Sequence, residues 1–253
     1  TGDFTLSLLY SVDGITWLSG GNPLGGSFPV TTSVYYSPEL LQWLVCGYGG
    51  TFQIAYSNIS APLVFTGIAS IGLSTPQSLV WSSDLRRWII GGQGGSVIYY
   101  SFNGINWFAS TNGATVFNNV NAVTYNPRAS VFLAAGQPGQ GALGYSFDGQ
   151  VWVAISGSNG IFNSFANDLC FSWASNLTIA TGSGQNTVAV STTTYTNFLG
   201  AGSNVFGTGS SFVANTCTYG ANGLFLITGS TFSSAINAGV TAIIGSPAVT
   251  ANQ

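Results

Sequence analysis

The chain has 253 residues, of which 45% are apolar and only 4% are charged, and its net charge is −3. It contains three Arg but no Lys and no His, so the clustered basic side chains that bind nucleic-acid phosphates are excluded. The same inventory excludes a serine triad, a Schiff-base lysine, and a zinc site that depends on histidine or on thiolate groups.

Length and composition also limit the domain organisation and the location that we expect. No apolar run approaches the ~20 residues that span a membrane, so we expect no membrane insertion, and we expect no cofactor and no metal. One domain spanning residues 1–253 is the simplest organisation for a chain of this length. A surface so poor in charge favours association, which suits a virion or an extracellular or cell-surface assembly.

The first predicted element is a hairpin at residues 10–17, and its sequence pattern recurs at residues 100–107 and 145–152. The shared pattern is Ser-x-Asp-Gly-x-x-Trp, with Asn in place of Asp in the second copy. The motif residues are Asp13, Gly14, Trp17, Asn103, Gly104, Trp107, Asp148, Gly149 and Trp152. Asp-Gly or Asn-Gly between apolar runs predicts a two-residue turn in which both residues have positive φ. Tyr10 would then face Trp17, and the other two copies would form the same aromatic pair, worth roughly 0.2–1 kcal/mol each. Degenerate copies occur at residues 56–63 and 190–198.

A second type of segment alternates with these hairpins and consists of a strand, a polar turn and a second strand that ends in Gly. Its aromatic anchors are 45, 44, 46 and 48 residues apart, and they are Tyr36, Trp81, Tyr125, Phe171 and Tyr219. Four strands of ~5 residues in each period form one antiparallel sheet. Sheets that repeat every 40 to 50 residues are typical of a β-propeller, so we predict an all-β propeller of four-stranded antiparallel blades.

The hairpin motif resembles the Asp-box repeats of the sialidase-type (BNR-like) propellers, in a shortened form, and the resemblance covers nearly the whole chain. Repeats of this shortened form are similar to those of proteins from large DNA viruses and of some bacterial surface proteins. In that family the box is a structural turn at the propeller rim, so the resemblance implies a scaffold and no particular activity.

The resemblance raises the question of the sialidase arginine triad, for which only Arg86, Arg87 and Arg128 are available. Arg86 and Arg87 are sequence neighbours and should diverge, so the triad is effectively absent. A glycosidase pair of carboxylates remains formally available, but the acidic residues are accounted for by turns and strand starts. We therefore predict that the protein is not an enzyme.

The number of blades is predicted to be six, with five as the alternative. Residues 1–2 match the end of a second strand and are followed by a hairpin motif, whereas residues 248–252 resemble the start of a first strand. We expect these terminal segments to pair and close the ring. One strand would still be missing, and the chain does not begin with Met, so we expect a processed chain or a fragment.

Two groups of loops are candidates for binding. Connections that follow second strands are rich in Gly and carry four amides that could form a ring at one end, namely Gln93, Gln137, Gln140 and Gln185. Tight turns alone would also explain these glycines. The longer connections between repeats carry the other candidates, which are Asn112, Asn118, Asn119, Asn159 and Asn163. These connections also repeat an aromatic residue that we expect to be buried, namely Phe28, Phe117, Phe162 and Phe206.

Three cysteines and two glycosylation sequons complete the candidate sites. Cys170 and Cys217 are expected at equivalent positions of adjacent repeats, and together with Cys46 they are predicted to be buried thiols. A bridge between Cys170 and Cys217, or an intermolecular bond, is the alternative. Asn58 and Asn176 begin sequons in predicted turns, so either could carry a glycan in a secreted protein.

These observations favour a non-enzymatic structural or adhesive component of a virion or extracellular assembly. Its partners would be copies of itself or other coat and surface proteins, contacted through neutral polar surfaces. The alternative is a lectin-like module that binds glycans through the loop rings, and the third hypothesis is a degenerate glycoside hydrolase.

Overall fold

A computed structural model describes residues 7–58, 60–191, 195–201, 212–220, 224–231 and 240–245. Within these ranges the chain forms antiparallel sheets joined by short loops and two helices of one turn each. The elements are, in chain order, β1 (Leu8–Tyr10), β2 (Leu18–Gly21), β3 (Val30–Ser37), β4 (Gln42–Tyr48), β5 (Ile54–Asn58), β6 (Ala61–Ile68), β7 (Thr75–Ser82), β8 (Arg87–Gln93), β9 (Ile98–Ser101), β10 (Phe108–Ala109), α1 (Gly113–Val116), β11 (Phe117–Asn126), β12 (Val131–Pro138), β13 (Leu143–Ser146), β14 (Val153–Ala154), α2 (Ser158–Ile161), β15 (Phe165–Ser172), β16 (Leu177–Ser183), β17 (Val188–Ser191), β18 (Leu199–Gly200), β19 (Phe212–Tyr219), β20 (Leu224–Thr231) and β21 (Val240–Gly245).

The strands pair in chain order. The N-terminal hairpin consists of β1 and β2, sheet 1 of β3–β6, sheet 2 of β7–β10, sheet 3 of β11–β14, sheet 4 of β15–β18 and sheet 5 of β19–β21. The predicted four-stranded antiparallel repeat is thus observed four times among the described residues, and sheet 5 contributes three strands.

Consecutive sheets pack face to face through their first two strands. The first strand of each sheet contacts the first strand of the sheet before it: β7 packs on β3, β11 on β7, β15 on β11 and β19 on β15. The first strands therefore form the inner edge through which consecutive sheets contact each other, as in the blades of a propeller. The apolar clusters that make up most of the core lie between neighbouring sheets and include Trp88, Phe132 and Phe225.

Every first strand contains a β-bulge at the same place, and polar side chains at the bulge link neighbouring sheets. Side chains at the bulge donate to a backbone carbonyl of the next sheet: Thr32 to Pro76 at 2.9 Å, Asn121 to Ala166 at 2.9 Å, and Asn167 to Ala214 at 3.0 Å. Side chains of the following residues accept from a backbone N–H of the next sheet: Ser33 from Leu79 at 3.2 Å, Ser78 from Val123 at 3.1 Å, and Asp168 from Cys217 at 3.0 Å. These hydrogen bonds give partners to backbone groups of the first strands, which form an edge of each sheet.

The prediction of a two-residue turn in the hairpin motif is wrong. Tyr10 pairs with Leu18, Tyr100 with Phe108 and Tyr145 with Val153, so each connection is a seven-residue loop that contains the Trp. Of the two central residues only the Gly has positive φ, at 73–74° in the three copies, whereas the expected turn needs positive φ at both.

Side-chain hydrogen bonds close this longer loop. In the third copy Ser146 Oγ accepts from Gly149 N at 2.8 Å. Asp148 Oδ1 accepts from the backbone N–H groups of Gln150 at 2.8 Å and Val151 at 3.0 Å. The first copy makes the same bonds through Ser11 and Asp13, and the second through Ser101 and Asn103. The motif is therefore a self-capped loop, of the kind that Ser and Asp side chains commonly form.

The three motif tryptophans differ in burial. Trp152 is 1% exposed within the core between sheets 2 and 3, and its Nε1 donates to Gly149 O at 3.2 Å. Trp107 is half-buried and makes the same bond to Gly104 O at 3.1 Å, whereas Trp17 is 59% exposed. The loop glycines Gly104 and Gly149 pack closely on the second strand of the preceding sheet.

The same hydrogen bonds hold the motif carboxylates ionised. The N–H groups of Thr16 and Ile15 and the Ser11 hydroxyl lower the pKa of Asp13 to about 2. For Asp148, partial burial raises the pKa, but the N–H groups of Val151 and Gln150 and the Ser146 hydroxyl together outweigh burial and lower it.

The linkers between sheets were only partly predicted. Phe117 and Phe162 are fully buried as expected, and an unexpected one-turn helix precedes each of them. The prediction for Phe28 is wrong: it is 74% exposed, and Leu24 is the fully buried residue of that linker. Phe206 lies outside the described residues.

The sequence predicts that the two terminal segments pair and close the ring, and only part of this prediction falls within the described residues. The N-terminal hairpin corresponds to the outer two strands of a blade, as the sequence predicted. The expected pairing of residues 1–2 with residues 248–252 lies outside the described residues.

We expect Trp152→Ala to lower the free energy of unfolding by about 3–5 kcal/mol, because a large aromatic side chain leaves a packed core. Trp17→Ala is the matched control at the same motif position, and its cost should stay below about 1 kcal/mol because Trp17 is largely exposed. Urea unfolding followed by far-UV circular dichroism measures both values, and equal costs would contradict the assigned burial.

The lowered pKa of Asp148 predicts that the stability of the protein depends on pH. Its pKa is lower in the folded than in the unfolded chain, so its stabilising effect is complete above the unfolded pKa near 3.8 and is lost as the pH falls below it. Asp148→Ala should cost about 1–3 kcal/mol at neutral pH, because two N–H groups lose their acceptor. Asp148→Asn keeps an Oδ1 acceptor, as Asn103 does, so it should retain stability at neutral pH with a weaker acid-induced loss. Melting temperatures between pH 2 and 7 test this, and an unchanged pH profile in Asp148→Asn would refute it.

Candidate functional site

An aromatic cavity of about 430 Å³ lies beside the first strands, at the end where they turn into second strands. We call it the axial cavity. It is lined by Tyr35 of sheet 1, by Trp81, Ser83 and Asp84 of sheet 2, by Thr124, Tyr125 and Pro127 of sheet 3, and by Phe171 and Trp173 of sheet 4. Equivalent positions of four repeats therefore build one concave surface.

Two carboxylates at this end are held by donors from the next sheet. Trp81 Nε1 donates to Glu39 Oε2 at 2.5 Å, and Tyr125 OH donates to Asp84 Oδ2 at 3.0 Å. Glu39 and Asp84 occupy the same turn position in successive repeats, and Trp81 and Tyr125 are the anchors of the repeats that follow. The anchors also stack on aromatic partners across the hairpin, for example Trp81 on Trp88 at 5.1 Å between ring centroids.

The third repeat differs from the first two both in its turn residue and in the anchor that follows. The next anchor is Phe171, which has no polar hydrogen to donate, and the turn position is occupied by Arg128 instead of a carboxylate. The Arg128 guanidinium lies 6.0 Å from the ring centroid of Trp173, a cation–π contact at the cavity wall. Arg128 also lines a neighbouring polar cavity of about 160 Å³ together with Asn126, Ala129, Asn176, Thr178, Ser191 and Tyr195.

Hydrogen bonds at this end stabilise the ionised form of Glu39. A hydrogen bond from Ser83 lowers the pKa of Glu39, helped by Trp81 and opposed by burial. Burial raises the pKa of Tyr125. The carboxyl groups whose pKa is shifted, namely Asp13, Glu39 and Asp148, are all shifted downward, so none of these three is held protonated as a general acid.

The predicted ring of amides lies at the opposite end of the sheets, because second strands run away from the axial cavity. Gln93, Gln137, Gln140 and Gln185 are all exposed. Gln93 and Gln137 occupy matching places near the ends of second strands, whereas Gln140 and Gln185 lie in the turns that follow. The four do not share one repeated position, and their role in binding remains a prediction.

Several of the predicted asparagines bind the backbone. Asn112 makes two hydrogen bonds to Trp152 of the next sheet, donating to its carbonyl at 2.7 Å and accepting from its N–H at 2.8 Å. Asn118 donates to Pro138 O at 2.7 Å, and Asn159 donates to Gln140 O at 3.1 Å. Asn119 donates weakly to Asn121 at 3.4 Å, and Asn163 is exposed. These bonds give Asn112, Asn118 and Asn159 a structural role, and ligand binding by the group remains a prediction.

The two sequons differ in accessibility. Asn58 is exposed at the end of β5, and its Oδ1 accepts hydrogen bonds from Ser60 N at 3.0 Å and Ala61 N at 3.2 Å. Asn176 is half-buried with φ at 55°, a left-handed conformation that Asn tolerates, and Thr178 of its sequon is buried. Asn58 is thus the more accessible acceptor, and glycosylation remains a prediction.

The cysteines are free thiols. Cys46 and Cys217 are buried as predicted, whereas Cys170 is only half-buried. Burial raises the pKa of Cys46 to about 12 and the pKa of Cys217 well above its usual value. The expectation of equivalent positions for Cys170 and Cys217 is wrong: Cys170 precedes its anchor by one residue and Cys217 by two. Successive side chains point to opposite faces of a strand, so Cys170 faces the next sheet and approaches Cys217, which faces back.

Arg86 and Arg87 diverge as expected, since the charge of Arg86 acts on Glu39 of sheet 1. Arg87 lies over the Phe102 ring at 4.6 Å, and its Nη1 donates to the carbonyl of Asp148. In the described part of the chain no three His, Cys, Asp or Glu side chains cluster as metal ligands would. Within the same residues, none of the helices has the length and apolar character needed to cross a membrane.

Comparison with known proteins identifies the fold. No family model and no curated protein matches the chain. A chain of the nidogen/laminin complex is similar at a TM-score of 0.60 and 11% identity, over 91% of this chain and 84% of that one. A chain of the mitotic checkpoint complex gives 0.59 and 11%, over 97% and 79% of the two chains. A gluconolactonase from Xanthomonas campestris gives 0.55 and 13%, over 90% and 77%. At these identities the similarity shows a β-propeller fold and nothing about activity.

Proposed function

We propose that this β-propeller is a non-enzymatic interaction module that contacts other protein surfaces, first of all copies of itself, in a virion or extracellular assembly. The observation that carries this proposal is an apolar surface on the N-terminal hairpin. Val12 is 95% exposed and Ile15 is 85% exposed at the tip of the first motif loop, and Leu9 and Trp17 are exposed beside them.

This surface continues into a concave apolar region. A cavity of about 480 Å³ lies between the N-terminal hairpin and sheet 1, and its apolar walls include Leu9, Trp17, Val34, Trp43 and Leu63. Exposed apolar groups that line a cavity are typical of interaction surfaces. With 4% charged residues, electrostatic repulsion between copies is weak. The two similar chains that come from a nidogen/laminin complex and a mitotic checkpoint complex are in keeping with such a role.

Glycan binding at the axial cavity is the second candidate, and the composition of its walls favours it. The exposed ring of Trp173 offers a flat apolar face, and Asp84 offers hydrogen-bond acceptors at the same cavity. A pocket that combines aromatic walls with a few placed polar groups suits a small polar ligand such as a sugar. The sequence predicted a lectin-like alternative but placed it at the opposite end.

For self-association, we expect the weight-average sedimentation coefficient to rise with protein concentration and to change little between about 0.05 and 0.5 M salt. The double variant Val12→Asp with Ile15→Asp should weaken association, because two carboxylates would have to be desolvated in the contact. Leu199→Asp is the control, an exposed apolar residue on sheet 4. A strict monomer at high concentration would remove the main support for self-association.

For glycan binding, we expect signals on a glycan array that are lost in Trp173→Ala and retained in Trp17→Ala, an equally exposed tryptophan elsewhere. Gln185→Ala tests the predicted amide ring at the other end. An array without signals, or signals that survive Trp173→Ala, would exclude the axial cavity as a glycan site.

A further inference from the structure

The repeat is broken at three positions around the polar cavity of about 160 Å³ that lies between sheets 3 and 4. Sheet 3 contributes Asn126, Arg128 and Ala129 to its walls, and sheet 4 with its motif loop contributes Asn176, Thr178, Ser191 and Tyr195. Of these, Asn126, Arg128 and Thr178 differ in chemistry from the residues that hold the same positions in neighbouring sheets.

Thr178 stands where the other sheets have an aromatic ring. In sheets 1, 2, 3 and 5 the anchor pairs across its hairpin with an aromatic residue, namely Trp43, Trp88, Phe132 and Phe225. In sheet 4 the anchor Phe171 pairs with Thr178 instead. A threonine leaves free the volume that a ring fills elsewhere, and the cavity lies beside it. Thr178 is 2% exposed, and its hydroxyl group has no hydrogen-bond partner among the described residues.

Asn126 brings an additional hydrogen-bond donor to the cavity. The residue after the anchor is a serine in sheets 1, 2 and 4, and its Oγ accepts from a turn N–H at 3.0–3.2 Å. Asn126 serves the same turn through Oδ1, which accepts from Ala129 N at 3.2 Å and from Arg128 N at 3.0 Å. Its Nδ2 has no acceptor in the part of the chain that the structure describes, although Asn126 is only 6% exposed. A buried amide normally has a partner, so this group indicates that the cavity receives an acceptor.

Arg128 brings a positive charge to the same cavity. Its position is occupied by the carboxylates Glu39 and Asp84 in sheets 1 and 2. The guanidinium contacts the ring of Trp173, and no carboxylate within the described ranges forms an ion pair with it. None of the described residues that line the cavity is acidic. The cavity therefore combines one cation with hydrogen-bond donors that lack acceptors, which is the chemistry that binds an anion.

We propose that the polar cavity is a binding site for a small oxyanion, with Arg128 as its counter-ion and with Asn126 Nδ2 and the Thr178 hydroxyl as hydrogen-bond donors. The volume suits such a ligand, because engineered cavities of about 150 Å³ accommodate a molecule as large as benzene. Phosphate, sulfate and a carboxylate share the required chemistry. The site is independent of the interaction function proposed above, which uses a different surface.

Titration calorimetry with inorganic phosphate, sulfate and acetate, at constant ionic strength in chloride buffer, tests the proposal. We expect saturable binding of at least one of these anions at one site per chain. Binding of phosphate or sulfate alone would identify a site for tetrahedral oxyanions, and binding of acetate alone a site for carboxylates. If none of the three anions binds, the proposal is wrong.

Three variants test the assigned residues, and two of them restore the residue type of the other repeats, so they should fold. Arg128→Gln should weaken binding at least about tenfold, because the charge-assisted hydrogen bonds are lost. Asn126→Ser keeps the acceptor for the turn and removes the free N–H groups, so it should also weaken binding. Thr178→Phe should abolish binding, because the ring fills the cavity. Circular dichroism and the melting temperature check that each variant is folded.

Arg86→Gln is the matched control, because it removes the same charge from a turn in sheet 2 that does not line the cavity. It should leave the affinity unchanged. An equal loss of affinity in Arg86→Gln and Arg128→Gln would mean that the anion responds only to the overall charge of the protein. Unchanged binding by a folded Thr178→Phe variant would place the anion outside the cavity. Either result would overturn the proposal, and neither would affect the test of self-association.

Discussion

The structure depends on one repeated interaction, the contact between the innermost strands of consecutive sheets. A bulge in each first strand turns polar side chains toward the next sheet, where they bond to its backbone, while the apolar residue two positions before each anchor is buried by the sheet before it. The hydrogen bonds and the apolar contact both act within one pair of neighbouring sheets. Each further pair of sheets therefore adds its own contribution to the stability of the fold. Among the described sheets, sheets 1 and 5 differ from the others, because Val34 and Leu226 are exposed where the equivalent residues of the other sheets are buried.

Much of the fold could be predicted because one aromatic residue recurs at the same position of each repeat. The spacing of Tyr36, Trp81, Tyr125 and Phe171 fixed the period, and the four-stranded sheets followed from it. The register of the motif loops could not be obtained from a dipeptide rule, because Ser146 and Asp148 accept hydrogen bonds from the loop backbone and so allow a longer connection. Likewise Phe28 and Leu24 are both apolar residues of one linker, and only packing decides which of them is buried.

The candidate site was less predictable for a different reason. The axial cavity is assembled from one turn of each of several repeats, and no local motif marks it. A signal was nevertheless present in the alignment of repeats: the third residue after each anchor is Glu39, then Asp84, then Arg128. In the first three repeats the carboxylates come before an anchor with a polar hydrogen and the arginine comes before Phe171, whereas the fourth repeat has Ala174 before Tyr219. A comparison of neighbouring repeats, position by position, would have located this end of the molecule.

Asp168 shows how closely neighbouring repeats are coupled. Its Oδ1 accepts from Leu169 N at 2.8 Å and its Oδ2 accepts from Cys217 N at 3.0 Å and Thr216 Oγ1 at 2.7 Å. In the other interfaces Ser33 and Ser78 of the preceding sheet serve such an N–H, but the corresponding residue before Leu169 is Ala122, which has no acceptor. One carboxylate thus serves its own sheet and the next. A serine at position 168 would therefore leave Leu169 N without its acceptor unless position 122 also carried a side-chain oxygen.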